Sequence, residues 1–299
     1  MAAALLLAAG CRPGSGDPEL AGDRAYGAGR FAAASVEYHA SLARDERGRV
    51  RAKAAAAALH AGSLALAAAD YRHLATSDPT RADEAADGLA RTAHAAELAG
   101  DSAGLAASVL ALHDVAPRRV LGRPALAVVR RVRLAGGQDV AILPSALAVA
   151  DAPALVDSLL VRYGAALEQT SACEDAADAW GTVLRRSADS GLRHDAARGL
   201  DACGLRLGLT ALSGGRPADA ARWLGRVADH DSSSWTARRA LIGLGDALRS
   251  QGDTAGAAAA FERAAALGGP DSLSQLAAGR LRALAPSQSA GDSARTGDQ

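Results

Sequence analysis

The sequence predicts an all-α fold, an α-solenoid of about seven helix pairs closed by a C-terminal capping helix. Three observations carry that expectation. Small turn residues recur along the chain at Gly29, Gly62, Gly100, Gly136, Ser171, Gly215 and Gly252. Gly62, Gly100 and Gly136 are each followed 17 residues later by a proline, at Pro79, Pro117 and Pro153. Hydrophobic residues make up 49% of the chain and aromatics only 3%, a gap filled largely by alanine, the strongest helix former. A methyl group buries little surface at about 25 cal/mol per Å², so the core is expected to be thin and spread along a stack. Punctuation every ~34 residues marks helix pairs that bury their faces only against their neighbours. The 299 residues therefore read as one elongated array rather than the two globular domains that length alone suggests.

Aligning the units on their turns justifies each pair in order. Seven residues before the turn stand Gly22, Ala55, Ala93, Val129, Gly164, Gly208 and Gly245, so only the fourth unit is bulky there. A small side chain at that point lets the two helices of a unit approach closely. Five residues after the turn come Ala34, Ala67, Leu105, Ala141, Ala176, Ala220 and Ala257. Nine after it come Tyr38, Tyr71, Val109, Ser145, Trp180, Leu224 and Phe261, a series as large as the previous one is small. The fourth unit departs again because Pro144 falls inside its second helix. Proline there removes a hydrogen bond and clashes with the preceding turn, at about 3 kcal/mol, so a kinked or shortened helix and a bend at mid-array are expected.

These positions resemble the tetratricopeptide repeat (TPR) family. Residues 237–270 match best, with Leu241, Leu244, Gly245, Leu248, Gly252, Ala257 and Phe261 at the family's spacings and Pro270 one residue late. The resemblance implies a right-handed solenoid over residues 18–270 whose concave groove binds proteins. Residues 271–285 are expected to form a capping helix, with Asp271 as N-cap and Leu273, Leu276, Leu281 and Leu284 covering the last unit. The tail at 286–299, rich in Ser, Ala, Gly, Asp and Gln, is expected to be disordered.

The amino terminus carries a second pattern. Leu5, Leu6, Leu7, Ala8, Ala9 and Gly10 lead into Cys11, which is similar to the lipobox of bacterial lipoproteins. That resemblance implies residues 1–10 as a signal peptide, lipidation of Cys11, and residues 11–17 as the anchored cysteine and its tether. Ala8 stands where such sequences usually carry Leu, and the basic opening of a signal sequence is missing; an upstream start would supply it. No other segment approaches the ~20 apolar residues of a membrane span. With Cys11 acylated, Cys173 and Cys203 remain, on adjacent antiparallel helices at similar heights, where an oxidising periplasm permits a disulfide; buried free thiols are the alternative.

Charge narrows the partners. The 33 basic and 33 acidic residues balance, which excludes a general nucleic-acid binder. Six arginines and no acid lie between Arg118 and Arg133. At 100° per residue Arg123, Arg130 and Arg133 share one stripe of the first helix of unit four, which in tetratricopeptide folds lines the groove. His94 of unit three and Arg239, Asp246 and Arg249 of unit seven occupy equivalent places. Such a groove suits an acidic peptide or a chain-terminal carboxylate; a merely solvated charged face is the plainer reading. The histidines are scattered without metalloprotease spacing, no phosphate-binding glycine motif occurs, and Asp229, His230 and Asp231 read as loop polarity. No catalytic residue, metal or cofactor is expected.

The functional expectation is a lipid-anchored, periplasm-facing interaction scaffold of the bacterial envelope, on the outer rather than the inner membrane, serving outer-membrane protein assembly or cell-wall organisation. A helical accessory of a cell-wall enzyme such as a lytic transglycosylase is the alternative, as is a soluble cytoplasmic scaffold if Cys11 is not lipidated. Direct glycan binding is disfavoured because only Trp180, Trp223 and Trp235 are present, two of them at core-like repeat positions.

Overall fold

The structure, a computed structural model, describes residues 16–230 and 234–284. The signal segment, Cys11 and the tail at 286–299 lie outside the described residues. Among those described, the chain is all helical, with fifteen α-helices and a 3-10 turn at Pro79–Arg81. The helices pair as α1 (Pro18–Gly27) with α2 (Phe31–Leu42), α3 (Gly48–His60) with α4 (Leu64–Ser77), and α5 (Ala82–Ala99) with α6 (Ser102–Val115), after which α7 (Gly122–Arg131) and α8 (Gly136–Leu147) come in chain order. There follow α9 (Pro153–Gln169) with α10 (Cys173–Arg186), α11 (Ser190–Ser213) with α12 (Pro217–His230), α13 (Trp235–Ser250) with α14 (Thr254–Ala266), and a single α15 (Ser272–Arg282).

The chain divides into two compact units, residues 1–134 with 141–150, and residues 135–140 with 151–299. In the first, each helix from α1 to α7 packs on the next, and first helices also touch first helices, α3 to α5 to α7. In the second the same rule runs from α9 to α15, with α9, α11, α13 and α15 in successive contact. The architecture is a TPR-like stack of helix pairs in each unit, and α15 takes the first-helix place of a pair that has no second member.

Turn geometry follows from the aligned residues. Gly29, Gly62, Gly100, Gly215 and Gly252 adopt left-handed φ of 70–84°, and Ser171 adopts 65°. A side-chain-bearing residue loses about 1–2 kcal/mol there, which is why glycine fills five of these six turns. The fourth unit differs from expectation. Gly136 is not its turn but the first residue of α8, because α7 stops at Arg131 and Val132 takes an extended conformation. Pro144 stays inside α8, which runs 12 residues, the length of α2 and within two residues of every other second helix. Pro144 can give no hydrogen bond to the carbonyl of Val140, and α8 is itself divided between the two compact units, its residues to Val140 counted with the second and those from Ala141 with the first.

The small-and-large pattern becomes a clasp. A Cβ placed on Gly22 would stand 2.6 Å from the Tyr38 ring, on Gly164 2.5 Å from the Trp180 indole nitrogen, and on Gly245 2.5 Å from the Phe261 ring. Gly208 meets Leu224 in the same way. The first helix of the following pair closes the other side, Gly88 against Tyr71 and Gly199 against Trp180. Tyr38, Tyr71, Trp180, Leu224 and Phe261 are all buried. Each large side chain thus sits in a slot that only missing side chains leave open.

N-caps fix the helix starts. Asp101, Asp189, Ser234, Asp253 and Asp271 accept from backbone N–H groups two to three residues into their helices, each contributing about 1 kcal/mol. Asp17, expected to belong to the tether, instead caps α1 through the N–H of Glu19. The polar residue 14 positions before the turn has its own rule in the second unit. Asp157 pairs with Arg186, and Asp201 with His230, each partner 15 residues after the turn of the same pair. In the last pair the sign is reversed: buried Arg238 reaches forward to Asp271 (2.6 and 2.8 Å) and the Ser274 hydroxyl (2.9 Å) at the start of α15. Leu273 and Ala277 of α15 are buried, whereas Leu276, expected to cover the last pair, is 39% exposed.

A candidate partner-binding groove

The first helices of the opening three pairs, α1, α3 and α5, bound a groove of about 550 Å³. Its lining includes Asp23 and Tyr26 from α1, Arg49, Ala52, Lys53 and Ala56 from α3, and Arg81 and Glu84 at the start of α5. Counted back from their turns, Arg49 stands at 13, Asp23 and Ala56 at 6 and Tyr26 at 3 residues, the stripe that the sequence assigned to the groove. Ala52 and Ala56 keep the floor open because neither side chain extends beyond its methyl.

The cations of the groove are held by its own acids. Lys53 Nζ lies 2.7 and 2.9 Å from the Asp23 carboxylate and 2.9 Å from Glu19 Oε1. Arg49 pairs with Glu19 at 2.9 Å and Arg81 with Glu84 at 2.6 Å. The Tyr38 hydroxyl donates to Asp23 at 2.8 Å. The Lys53 hydrogen bond, chiefly, holds the Asp23 carboxyl below the usual carboxylate range. Burial and the bond to Asp23 push the Tyr38 hydroxyl well above its ordinary value, so it stays a donor. One edge is aromatic: Tyr26 meets Phe31 edge-on at 5.1 Å, and Phe31 stacks on His60 at 4.9 Å. The groove surface is more apolar than polar, its charges are nearly balanced, and Tyr26 and Tyr38 bring aromatic rings to its lining.

None of the predicted arginines lines this groove; two of them stand on α7, which touches α5. Buried residues of α5 at Ala85, Leu89, Thr92 and Ala93 recur at the same phase as Leu121, Ala125, Val128 and Val129 of the fourth pair. That phase leaves Arg123 and Arg130 exposed at the positions held in the groove by Arg49 and Asp23. Arg133 does not share their stripe, because α7 ends two residues earlier and Arg133 lies in the turn. None of the three forms an ion pair with a described residue, and His94 of α5 is exposed as well.

The unit-seven set is partly spent inside the second unit. Asp246 is bound by Arg280 of α15 at 3.2 Å and by Arg249 at 3.5 Å, and Arg239 is half-buried. Asp229 and His230, expected in a loop, form the end of α12, where His230 bonds Asp201 at 2.7 Å and Asp229 faces Arg263 at 3.5 Å. Of the tryptophans only Trp180 is buried; Trp235 is 62% exposed and Trp223 half-buried. Trp223 lines an apolar cavity of about 210 Å³ with Leu184, Leu200 and Val227, and Arg226 lies 4.3 Å above its ring. Sequence reasoning missed this cavity, as it missed Asp23, Arg49 and Lys53; for Asp23 and Arg49 the signal was available, since the stripe rule applied to Arg130 selects both.

Cys173 and Cys203 are joined as a disulfide, with Cα atoms 5.2 Å apart. Among the described residues no cluster of three or more metal-ligating side chains occurs, and no helix is long and apolar enough to cross a membrane.

The sequence matches no protein-family model and no curated protein. Among solved structures it is similar to the TPR2AB domain of yeast Sti1 in complex with pHSP90, at 15% identity and TM-score 0.28 over 89% of this chain and 95% of that one. It is also similar to the TPR domain of P58(IPK), at 13% identity and TM-score 0.25 over 89% and 97%. A third is a tetratricopeptide repeat protein from Parabacteroides merdae, at 10% identity and TM-score 0.27 over 89% and 97%.

Proposed function

We propose that this chain is a protein–protein interaction scaffold that holds an extended segment of a partner along α1, α3, α5 and α7. The observation that carries the reading is the groove of the first unit, open for about 550 Å³ between side chains that already satisfy one another. A charge-balanced groove gives up little when a peptide backbone enters it, since its ions keep their partners. Exposed Arg123 and Arg130 then supply the directional contact, two forks suited to an acidic side chain or a terminal carboxylate. His94 lies between them and the groove in chain order and extends the same surface.

The finer reading places the scaffold in the bacterial envelope, attached by acyl chains on Cys11 and facing the periplasm from the outer membrane, in outer-membrane protein assembly or cell-wall organisation. It rests on the Leu5–Cys11 pattern. Two or more acyl chains, at about 0.8 kcal/mol per buried CH₂, give stable attachment.

The test is crosslinking in cells, detergent solubilisation of the envelope, capture through a C-terminal tag and quantification of the copurifying partner. Arg130→Glu is expected to reduce recovery at least fivefold while Arg131→Glu, turned about 100° away on α7, leaves it within twofold. Equal loss from both refutes the directional contact. Cys11→Ser should move the chain to the soluble fraction; an unchanged distribution refutes the anchor and leaves the groove reading intact.

A further inference from the structure

Cys173 opens α10, Cys203 lies inside α11, and a guanidinium rests on the bridge between them. Arg206 Nη2 is 2.6 Å from Cys173 Sγ and 3.5 Å from Cys203 Sγ, and its Nε is 3.1 Å from Cys173 Sγ. Nη2 is also 3.3 Å from the Glu168 carbonyl oxygen, which fixes the fork over the sulfurs. A disulfide sulfur is uncharged and a weak acceptor, so a cation aimed at it gains little while the bond is intact. The same fork against a thiolate makes a charge-assisted pair, the arrangement that depresses a thiol's pKa. Cys173 is the first residue of its helix, and the N-cap, Ala172, offers no side-chain acceptor to the first-turn N–H groups, so the helix dipole favours negative charge at the same atom. Glu174 and Asp175 in that turn oppose it, but both are exposed and screened by water.

We infer that Cys173 and Cys203 form an exchangeable thiol–disulfide couple rather than a permanent staple, with Arg206 as the positioning residue that holds Cys173 as a thiolate once the bond opens. The co-reactant is a small thiol such as glutathione. Two reductant thiols become one disulfide; the protein S–S bond takes up the two electrons. Cys203 takes one of the two protons released, Cys173 stays ionised against Arg206, and the other proton goes to solvent. The surroundings tolerate both states. Leu167, Ala176, Trp180, Val183 and Ala196 pack as one buried cluster around the two cysteines, so α10 and α11 remain joined when the bond opens. Both cysteines are buried, Cys203 completely and Cys173 just beneath the exposed Arg206, so the sulfur nearer the surface is the one the arginine covers.

The test equilibrates the full chain in reduced and oxidised glutathione mixtures at pH 7, alkylates free thiols and quantifies the Cys173 and Cys203 peptides by mass spectrometry. Arg206→Met is expected to shift the equilibrium constant toward the disulfide about tenfold at pH 7, the effect of returning Cys173 from an ionised thiolate to the ordinary thiol range near 8.5, while Arg206→Lys keeps most of the wild-type value. In the reduced wild-type chain, Cys173 alkylation should stay fast to about pH 6, well below the ordinary thiol range near 8.5. Equal equilibrium constants for wild type and Arg206→Met, each helical by circular dichroism, overturn the inference. If that variant fails to fold, an ordinary thiol pH profile at wild-type Cys173 overturns it alone.

Discussion

Trp180 makes the sharpest test of how the pairs are joined, because glycines close on it from two helices. An ideal Cβ on Gly164 of α9 stands 2.5 Å from its indole nitrogen, and one on Gly199 of α11 runs into the other end of the ring. The indole is rigid and buried, so it cannot move from one methyl without meeting the opposite backbone. Gly164→Ala therefore sets two effects against each other. Alanine gains about 1 kcal/mol of helix propensity over glycine, while overpacking costs typically 1–3 kcal/mol. A net destabilisation of up to about 2 kcal/mol is expected from that difference. Gly225 of α12, also in the second unit, meets nothing within 4 Å, so Gly225→Ala should stabilise by about 1 kcal/mol. Urea unfolding followed by far-UV circular dichroism reads both, and the two midpoints should move in opposite directions. In a Trp180→Leu background the slot is slack, and Gly164→Ala should become neutral or stabilising. If Gly164→Ala and Gly225→Ala stabilise the wild-type chain equally, propensity alone governs these sites and the clasp argument fails.

Two further outcomes follow from the turns and the cap. Ser171 holds φ 65° where the aligned turns carry glycine, so Ser171→Gly should raise stability by up to about 1 kcal/mol, seen as a higher urea midpoint; a drop would mean that the serine side chain contributes more than its backbone costs. The docking of α15 should be acid-sensitive: the Arg238 hydrogen bond, then the Ser274 backbone N–H, hold the Asp271 carboxyl far below the usual carboxylate range. A depressed folded pKa means that this contribution is complete above the unfolded value near 3.9 and is lost as pH falls through the folded one. Amide exchange in Ser272–Arg282 should accelerate on acidification below about pH 4, earlier than exchange in α13, and Asp271→Asn should abolish the difference.

Residues that obey a repeat were legible because each unit states the same packing problem. The pairing of Gly22 with Tyr38, Gly164 with Trp180 and Gly245 with Phe261 could be read by alignment alone, and so could the left-handed turns, including Ser171. The fourth pair was misread where its chain leaves the pattern. Gly136 fits the spacing of a turn, but β-branched Val132 extends the backbone and ends α7 early, which strands Arg133 off the helix. The groove was half legible: its phase was right, while Lys53 could not be paired with Asp23 and Glu19 from sequence, since those contacts span 30 and 34 residues between different pairs. Leu276 was assigned to the apolar face of an amphipathic capping helix, yet on α15 it is exposed.

The reversed charge at the last pair works as an address. Asp157 and Asp201 stand where Arg238 stands, so an array cut short after the fifth or sixth pair would present an acid to Asp271 and repel the helix that should finish it. Of the three pairs in the second unit, only the seventh carries an arginine there to bind Asp271. A unit added between α14 and α15 would have to bring its own arginine at that place to keep the contact with Asp271.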